Sequence, residues 1–207
     1  VLLLPEADVT AADAPTIIEH PSPNHSPRKA GVRVDTIVIH HTATPSTLLG
    51  DRIALRTLCS PLPGKRVSAH YLIGHRGSVY RLVPEDRTAW HAGFSCLPWE
   101  EQAHGASVNP HSIGIEVVNP GDGTTPFTEA QYRALCWLVP DIVRRLGGDG
   151  VVVRRSADGS WSSGQSFSTA SAVIVTGHRD VAPGRKTDPA DNFDWGRIRE
   201  ALAGGGA

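Results

Sequence analysis

The sequence predicts an α/β fold: a single domain with a central mixed β-sheet flanked by helices. Three observations lead there. Ile37-Val38-Ile39, Ile113 to Val118 and Ala172 to Val175 are short, mostly apolar runs, the pattern of strands covered on both faces. The stretch from Thr128 to Leu146 instead repeats its apolar residues with helical period. A length of 207 residues gives one domain of ordinary size its own core, and is barely enough for two.

Composition narrows the class. Apolar residues make up 40% of the chain and charged residues 20%, the balance of a folded soluble protein. A formal net charge of -1 gives no reason to expect nucleic acid or an anionic membrane as partner. Ten histidines are many for this length and point towards a metal or proton-transfer site. The three cysteines match no zinc-finger or CxxC spacing, and their odd number leaves one thiol unpaired in a monomer. Cys136 reads as core, while a Cys59–Cys96 disulfide is open to a chain in an oxidising compartment. The chain has no methionine, and Val1-Leu2-Leu3-Leu4 is too short for a membrane span or a complete signal peptide. It reads as a remnant of processing, a hint of export.

Taken in order, residues 1–31 carry five prolines and little periodicity, so they read as an extended arm, lying on the domain or partly mobile. His20 and His25 within it read as solvated loop histidines. The domain proper is expected over 32–203. Val32 to Ile39 alternates and then turns wholly apolar, a strand entering a core, and stops at His40-His41-Thr42. By itself His40 has two open readings: a ligand projecting into a cleft, or a core histidine bonded to a carbonyl. Residues 51–58 predict a short helix and Pro61 to Lys65 a loop. Val67–Gly74 and Ser78–Val83 predict a hairpin turned at His75-Arg76-Gly77. Trp90 and His91 follow between small residues, as a cleft wall or a packed turn, and 94–111 is irregular.

Ser112 to Val118 is the next strand, interrupted by Glu116. A buried carboxylate costs on the order of several kcal/mol unless it is paired or neutralised, so this residue marks a site. Thr128-Glu129-Ala130-Gln131 is a capping box opening the long helix, Pro140 should kink or break it, and Gly147-Gly148 ends it. Residues 149–171, rich in Ser and Gly, predict an exposed hairpin or long loop inserted before the last strand. Asp194 caps a closing helix to Leu202.

The densest chemistry follows the last strand, in Thr176-Gly177-His178-Arg179-Asp180-Val181-Ala182-Pro183-Gly184-Arg185-Lys186-Thr187-Asp188. Strand ends thus offer His40, Glu116, His178 and the Lys186–Asp188 pair. Two neutral imidazoles and a carboxylate satisfy a tetrahedral zinc with one position open. Glu116 then has a use as general base and Lys186 as a cation for developing negative charge.

IVIHHTA, VSAHYLI, AWHAG, SIGIE and GHRDVAPGRKTDP, in this order over roughly residues 32–203, resemble the zinc-dependent N-acetylmuramoyl-L-alanine amidases of the type-2 amidase superfamily. That superfamily also holds the peptidoglycan recognition proteins, and the chain most resembles its bacterial AmpD and AmiD branch. The resemblance implies one zinc ion held by His40, His178 and Asp188, with Glu116 and Lys186 catalytic. It implies Arg185 as holder of a stem-peptide carboxylate, and His41, Trp90 and His91 as substrate contacts. His70 matches a recurrent histidine whose role stays open between the core and support of the site. The implied reaction is hydrolysis of the amide between N-acetylmuramic acid and L-alanine in peptidoglycan or muropeptides, by a monomer with no transmembrane segment. Export is favoured over a cytoplasmic location. A non-catalytic peptidoglycan-binding module and a zinc peptidase acting on stem peptides are the alternatives.

Overall fold

The computed structural model describes residues 14–62, 66–97 and 107–204. Val1–Leu4, the tip of the Pro61–Lys65 loop, the middle of the irregular 94–111 stretch and the final glycines lie outside them. Eleven strands and four α-helices are seen among the described residues. The main sheet takes β1 (Ile17–Glu19), β3 (Thr36–His41), β4 (Tyr71–Ile73), β5 (Val79–Arg81), β7 (Ser112–Val117), β8 (Asp149–Val152) and β11 (Ala172–Gly177). Their order across it is β1-β5-β4-β7-β3-β11-β8. All neighbours run parallel except the β4–β5 hairpin, so the sheet is mixed, as predicted. Two small ribbons pair β2 (His25–Pro27) with β6 (Arg87–Ala89), and β9 (Arg154–Arg155) with β10 (Trp161–Ser162).

Side chains alternate along each strand, which splits the protein into two layers around the sheet. Ile37, Ile39, Tyr71, Ile73, Ile113, Ile115, Val117, Val173 and Val175 join the largest apolar cluster, against α2 (Glu129–Leu146) and α4 (Trp195–Gly204). Val38 and Ile174 point the other way, into a cluster with Val151, Val153 and Val181. Leu72 meets Ala54 and Leu58 of α1 (Leu48–Leu58) on that second side. Helices therefore flank both faces.

The capping box forms as expected: Thr128 Oγ1 accepts the Gln131 N–H at 3.1 Å, and Gln131 Oε1 accepts the Thr128 N–H at 2.9 Å. Gly147 closes α2 with φ +70°, a left-handed conformation that glycine adopts without penalty. Pro140 does not break the helix, which runs from Glu129 to Leu146 without interruption. Its missing N–H removes a single bond, and Val139 and Ile142 on either side are fully buried, so packing holds the helix through it.

The amino-terminal segment is more integrated than its composition suggests. From residue 14 onward it supplies β1, an edge strand of the main sheet, and β2. Arg28 anchors it, donating to the carbonyls of Glu85, Asn109, Pro110 and Ser112. The 149–171 stretch also divides: Asp149–Val152 is a parallel edge strand beside β11, and only the remainder is a protruding ribbon and loop. Cys59, Cys96 and Cys136 are free thiols in this structure. Cys136 sits at the margin of the core, half-buried, with its thiol towards the Arg197 carbonyl.

Candidate metal centre and active-site cleft

Parallel strands end on the same edge of the sheet, and open α/β sheets place ligands at that edge. Here β7, β3 and β11 lie side by side, and His40 is registered opposite Glu116 across the β3–β7 pair. Gly177, paired with Ile39, ends β11 and hands the chain to α3 (His178–Val181), a single helical turn that the sequence did not signal. His178 is its first residue, and the Ala182-Pro183-Gly184 turn then brings Asp188 back beside it. The Arg179 N–H donates to the Asp188 carbonyl at 2.7 Å and holds this return, while Asp180 ties the start of the turn to β9. Its buried carboxylate accepts the Gly177 and Arg155 N–H groups and the Arg154 guanidinium.

His40, His178 and Asp188 meet in a buried cluster, each offering one ligand atom within 4.8 Å of the others. His40 Nδ1 lies 2.9 Å and His178 Nδ1 3.0 Å from Asp188 Oδ2. The outer nitrogens are already engaged. His178 Nε2 donates to the Ala92 carbonyl at 3.0 Å, and His40 Nε2 is 3.0 Å from His91 Nδ1. Metal-ligating histidines use their second nitrogen in this way, which fixes the ring and the tautomer. Burial, reinforced by the charge of His178, lowers His40 to about 4, so its imidazole is neutral at pH 7. Burial alone would raise Asp188, but the hydrogen bonds and charges of His178 and His40 outweigh it and keep the group a carboxylate. Two imidazoles and one carboxylate converging on one point fit a tetrahedral metal with an open position.

A cleft of about 360 Å³ opens on this cluster, lined also by His41, His91, Glu116, Arg185 and Lys186. Burial pushes the Glu116 carboxyl well above its ordinary range, the Asp188 charge adds to this, and Lys186 opposes it. Glu116 Oε2 is enclosed without a hydrogen-bond partner. Such a group holds a proton more tightly than an ordinary carboxylate.

A family model described as N-acetylmuramoyl-L-alanine amidase matches residues 30–191. The chain belongs to that amidase family. It is 32% identical to the 1,6-anhydro-N-acetylmuramyl-L-alanine amidase AmpD of Enterobacter cloacae over 88% of both chains. To the N-acetylmuramoyl-L-alanine amidase AmiD of Escherichia coli K12 it is 30% identical, over 81% of this chain and 53% of that relative. Among solved structures it is similar to a selenomethionine AmpD derivative, with TM-score 0.60, 27% identity and coverage of 92% and 96%. The solution structure of Citrobacter freundii AmpD gives TM-score 0.54 at 28% identity, covering 97% and 95%. The chain is thus an AmpD-like type-2 amidase.

Not every expected contact takes its expected place in the amidase. Arg185 does line the cleft, exposed, and its Nη2 also donates to the carbonyls of Ala92 and Phe94 at 2.5 and 2.6 Å, bracing the loop behind His178. Trp90 does not line the cleft; its indole N–H reaches Ser26 Oγ of the amino-terminal segment at 3.4 Å. His41 lines the cleft with a buried, unpartnered Nδ1. Its ring lies over Gly121, where a Cβ would come 2.1 Å from it. His70, whose role was open, is a tether in the core. Its Nδ1 accepts the Gly114 N–H at 2.9 Å and its Nε2 meets the Arg87 carbonyl at 3.1 Å, away from the cleft. The contributions of Ala92, Ser112 and Asp180 have no mark in the sequence. Gly114 did have one: a glycine inside a buried strand signals close approach of another group. A Cβ there would lie 2.5 Å from the His91 ring.

Proposed function

We propose that the chain is a zinc amidase that cleaves the bond between the lactyl carbonyl of (anhydro-)N-acetylmuramic acid and L-alanine in muropeptides. The observation that carries this reading is the convergence of His40 Nδ1, His178 Nδ1 and Asp188 in one cleft with Glu116. Held by those three residues, zinc supplies Lewis acidity, polarising a carbonyl oxygen and lowering the pKa of a ligated water to about 7. Glu116 takes the proton of the attacking water, its raised affinity for protons suiting it to hold that proton and return it to the departing alanine nitrogen. Lys186, exposed at the cleft, offers its ammonium to the negative charge growing on the carbonyl oxygen. The neutral His40 and the anionic Asp188 enter the reaction already in their ligand forms.

Released anhydro-muropeptides are the substrate we favour over intact wall. Support comes from relatives of which the chain covers 88%, which are named for the 1,6-anhydro sugar. A solved structure of the same fold from Pseudomonas aeruginosa is a complex with an anhydromuramic pentapeptide. Parallel digestion of anhydro-muropeptides and intact sacculi, read by product mass, tests this. Free anhydro-muramic sugar and intact stem peptide are expected. Cleavage between amino acids would indicate a peptidase, and binding without product a recognition module. Export, expected from the start Val1–Leu4, rests on residues outside the described ones. Cell fractionation decides it. Among the described residues no helix is long and apolar enough to cross a membrane.

A further inference from the structure

We infer that His91 is a positioning residue for His40 rather than a substrate contact, acting through a directed chain His40–His91–Ser112; this rests on the metal reading above. If His40 Nδ1 is to donate a lone pair to a metal, its ring proton must sit on Nε2. That N–H faces His91 Nδ1 at 3.0 Å, which must then accept. The His91 proton is thereby placed on Nε2, 3.0 Å from Ser112 Oγ, which receives it. Each link sets the next, and the His91 ring cannot turn towards substrate without releasing His40.

The ring is also built in. Gly114, on the strand beneath, leaves the space it fills. The backbone on either side is pinned: the Trp90 N–H donates to Ser68 Oγ at 2.9 Å and the Ala92 N–H to Asn109 Oδ1 at 2.8 Å. The next residue does the same service for the other ligand, since the Ala92 carbonyl accepts from His178 Nε2. One dipeptide, His91-Ala92, thus holds the outer nitrogens of both ligand imidazoles. The two arrangements differ in one respect. A carbonyl can only accept, so it fixes the His178 tautomer by itself, whereas His91 and Ser112 can each donate or accept, and the direction of their chain is set from the His40 end.

The test measures zinc affinity, by competition with a chromogenic chelator, for the wild-type chain and for His91→Leu and His91→Asn. Loss of such an outer partner typically costs about 10- to 100-fold in metal affinity. That loss is expected for the leucine variant. Asparagine, whose Oδ1 can accept from His40 Nε2, should recover most of it. The absorption spectrum of the cobalt(II)-substituted chain should change with leucine and return with asparagine, and KM for anhydro-muropeptide should stay near wild type in the zinc-saturated variants. A leucine variant that binds zinc as tightly as wild type but with raised KM overturns the assignment and restores His91 as a substrate contact. Should leucine prevent folding, nitrogen-15 NMR of the zinc-loaded wild-type protein decides: His91 protonated on Nε2 alone supports the chain, and a proton on Nδ1 overturns it. A wild-type chain that takes up no zinc defeats the metal reading itself, a result distinct from either.

Discussion

The two faces of the central sheet are made by the same strands and have opposite tasks. Towards α2 and α4, Ile37, Ile39, Ile113, Ile115, Val117, Val173 and Val175 form a continuous apolar surface. Between them, on the other face, come Val38, His40, Gly114, Glu116, Ile174 and Thr176. The period of two lets one strand serve both, so that His40 follows Ile39 and Glu116 follows Ile115 with no break in pairing. The apolar face has nothing to gain chemically, and the cleft face retains an enclosed, unpartnered Glu116 oxygen. The comparison teaches that the cost of the site is carried by packing one residue away, on the opposite side of the same backbone.

If so, substitutions on the two faces should separate activity from stability. Glu116→Gln should show the largest effect, a fall in turnover of about 10²–10⁴-fold, the usual range for a lost general acid–base group, with zinc content unchanged. Steady-state kinetics with metal analysis checks this, and near-wild-type turnover would remove Glu116 from its role. Lys186→Ala should cost about 10²–10³ in turnover, as for an oxyanion donor, again with zinc retained. Its ammonium is exposed, so thermal unfolding should be unaltered. On the apolar face Ile115→Ala should do the reverse: about 2–5 kcal/mol of stability lost in urea, with turnover per folded molecule preserved.

The smallest effect concerns pH. Burial, with a smaller contribution from the Arg28 charge, lowers His70 to about 3 against the pull of the Arg87 carbonyl. Between its ordinary 6.5 and that value the unfolded chain binds a proton that the folded chain refuses. Stability from this group is therefore full above pH 6.5 and declines as the pH falls, by up to about 1.4 kcal/mol per unit. His70→Asn keeps an acceptor for the Gly114 N–H without the titration. Between pH 6.5 and 5 it should lose roughly 2 kcal/mol less than wild type in urea unfolding. Parallel pH profiles would show that His70 titrates normally.

The same contrast explains what was legible in the sequence. Strands β3, β7 and β11 announce themselves because burial on both sides leaves a local apolar signature, and His40, Glu116 and His178 stand out as interruptions at its ends. Thr128 and Gln131 read correctly because a capping box is complete within four residues. What was missed is held by distant partners. β1 and β2 depend on pairing with residues about 60 positions away and on the Arg28 carbonyl contacts, which no local pattern of prolines records. β8 is a short edge strand in a glycine-rich stretch, recognisable only once β11 is beside it. The cleft followed the same rule. The clustered His40, His178 and Asp188 were evident from type and position, whereas the hydrogen bonds that orient the two histidines come from Ala92, Ser112 and His91, far away along the chain.

The most direct measurement is the metal stoichiometry of the purified wild-type chain beside Asp188→Ala, by mass spectrometry of the elements. One zinc per wild-type chain and none in the variant is the predicted result. Wild-type protein without metal, or a variant that keeps its full complement, would contradict the assignment of His40, His178 and Asp188 as the site that holds it.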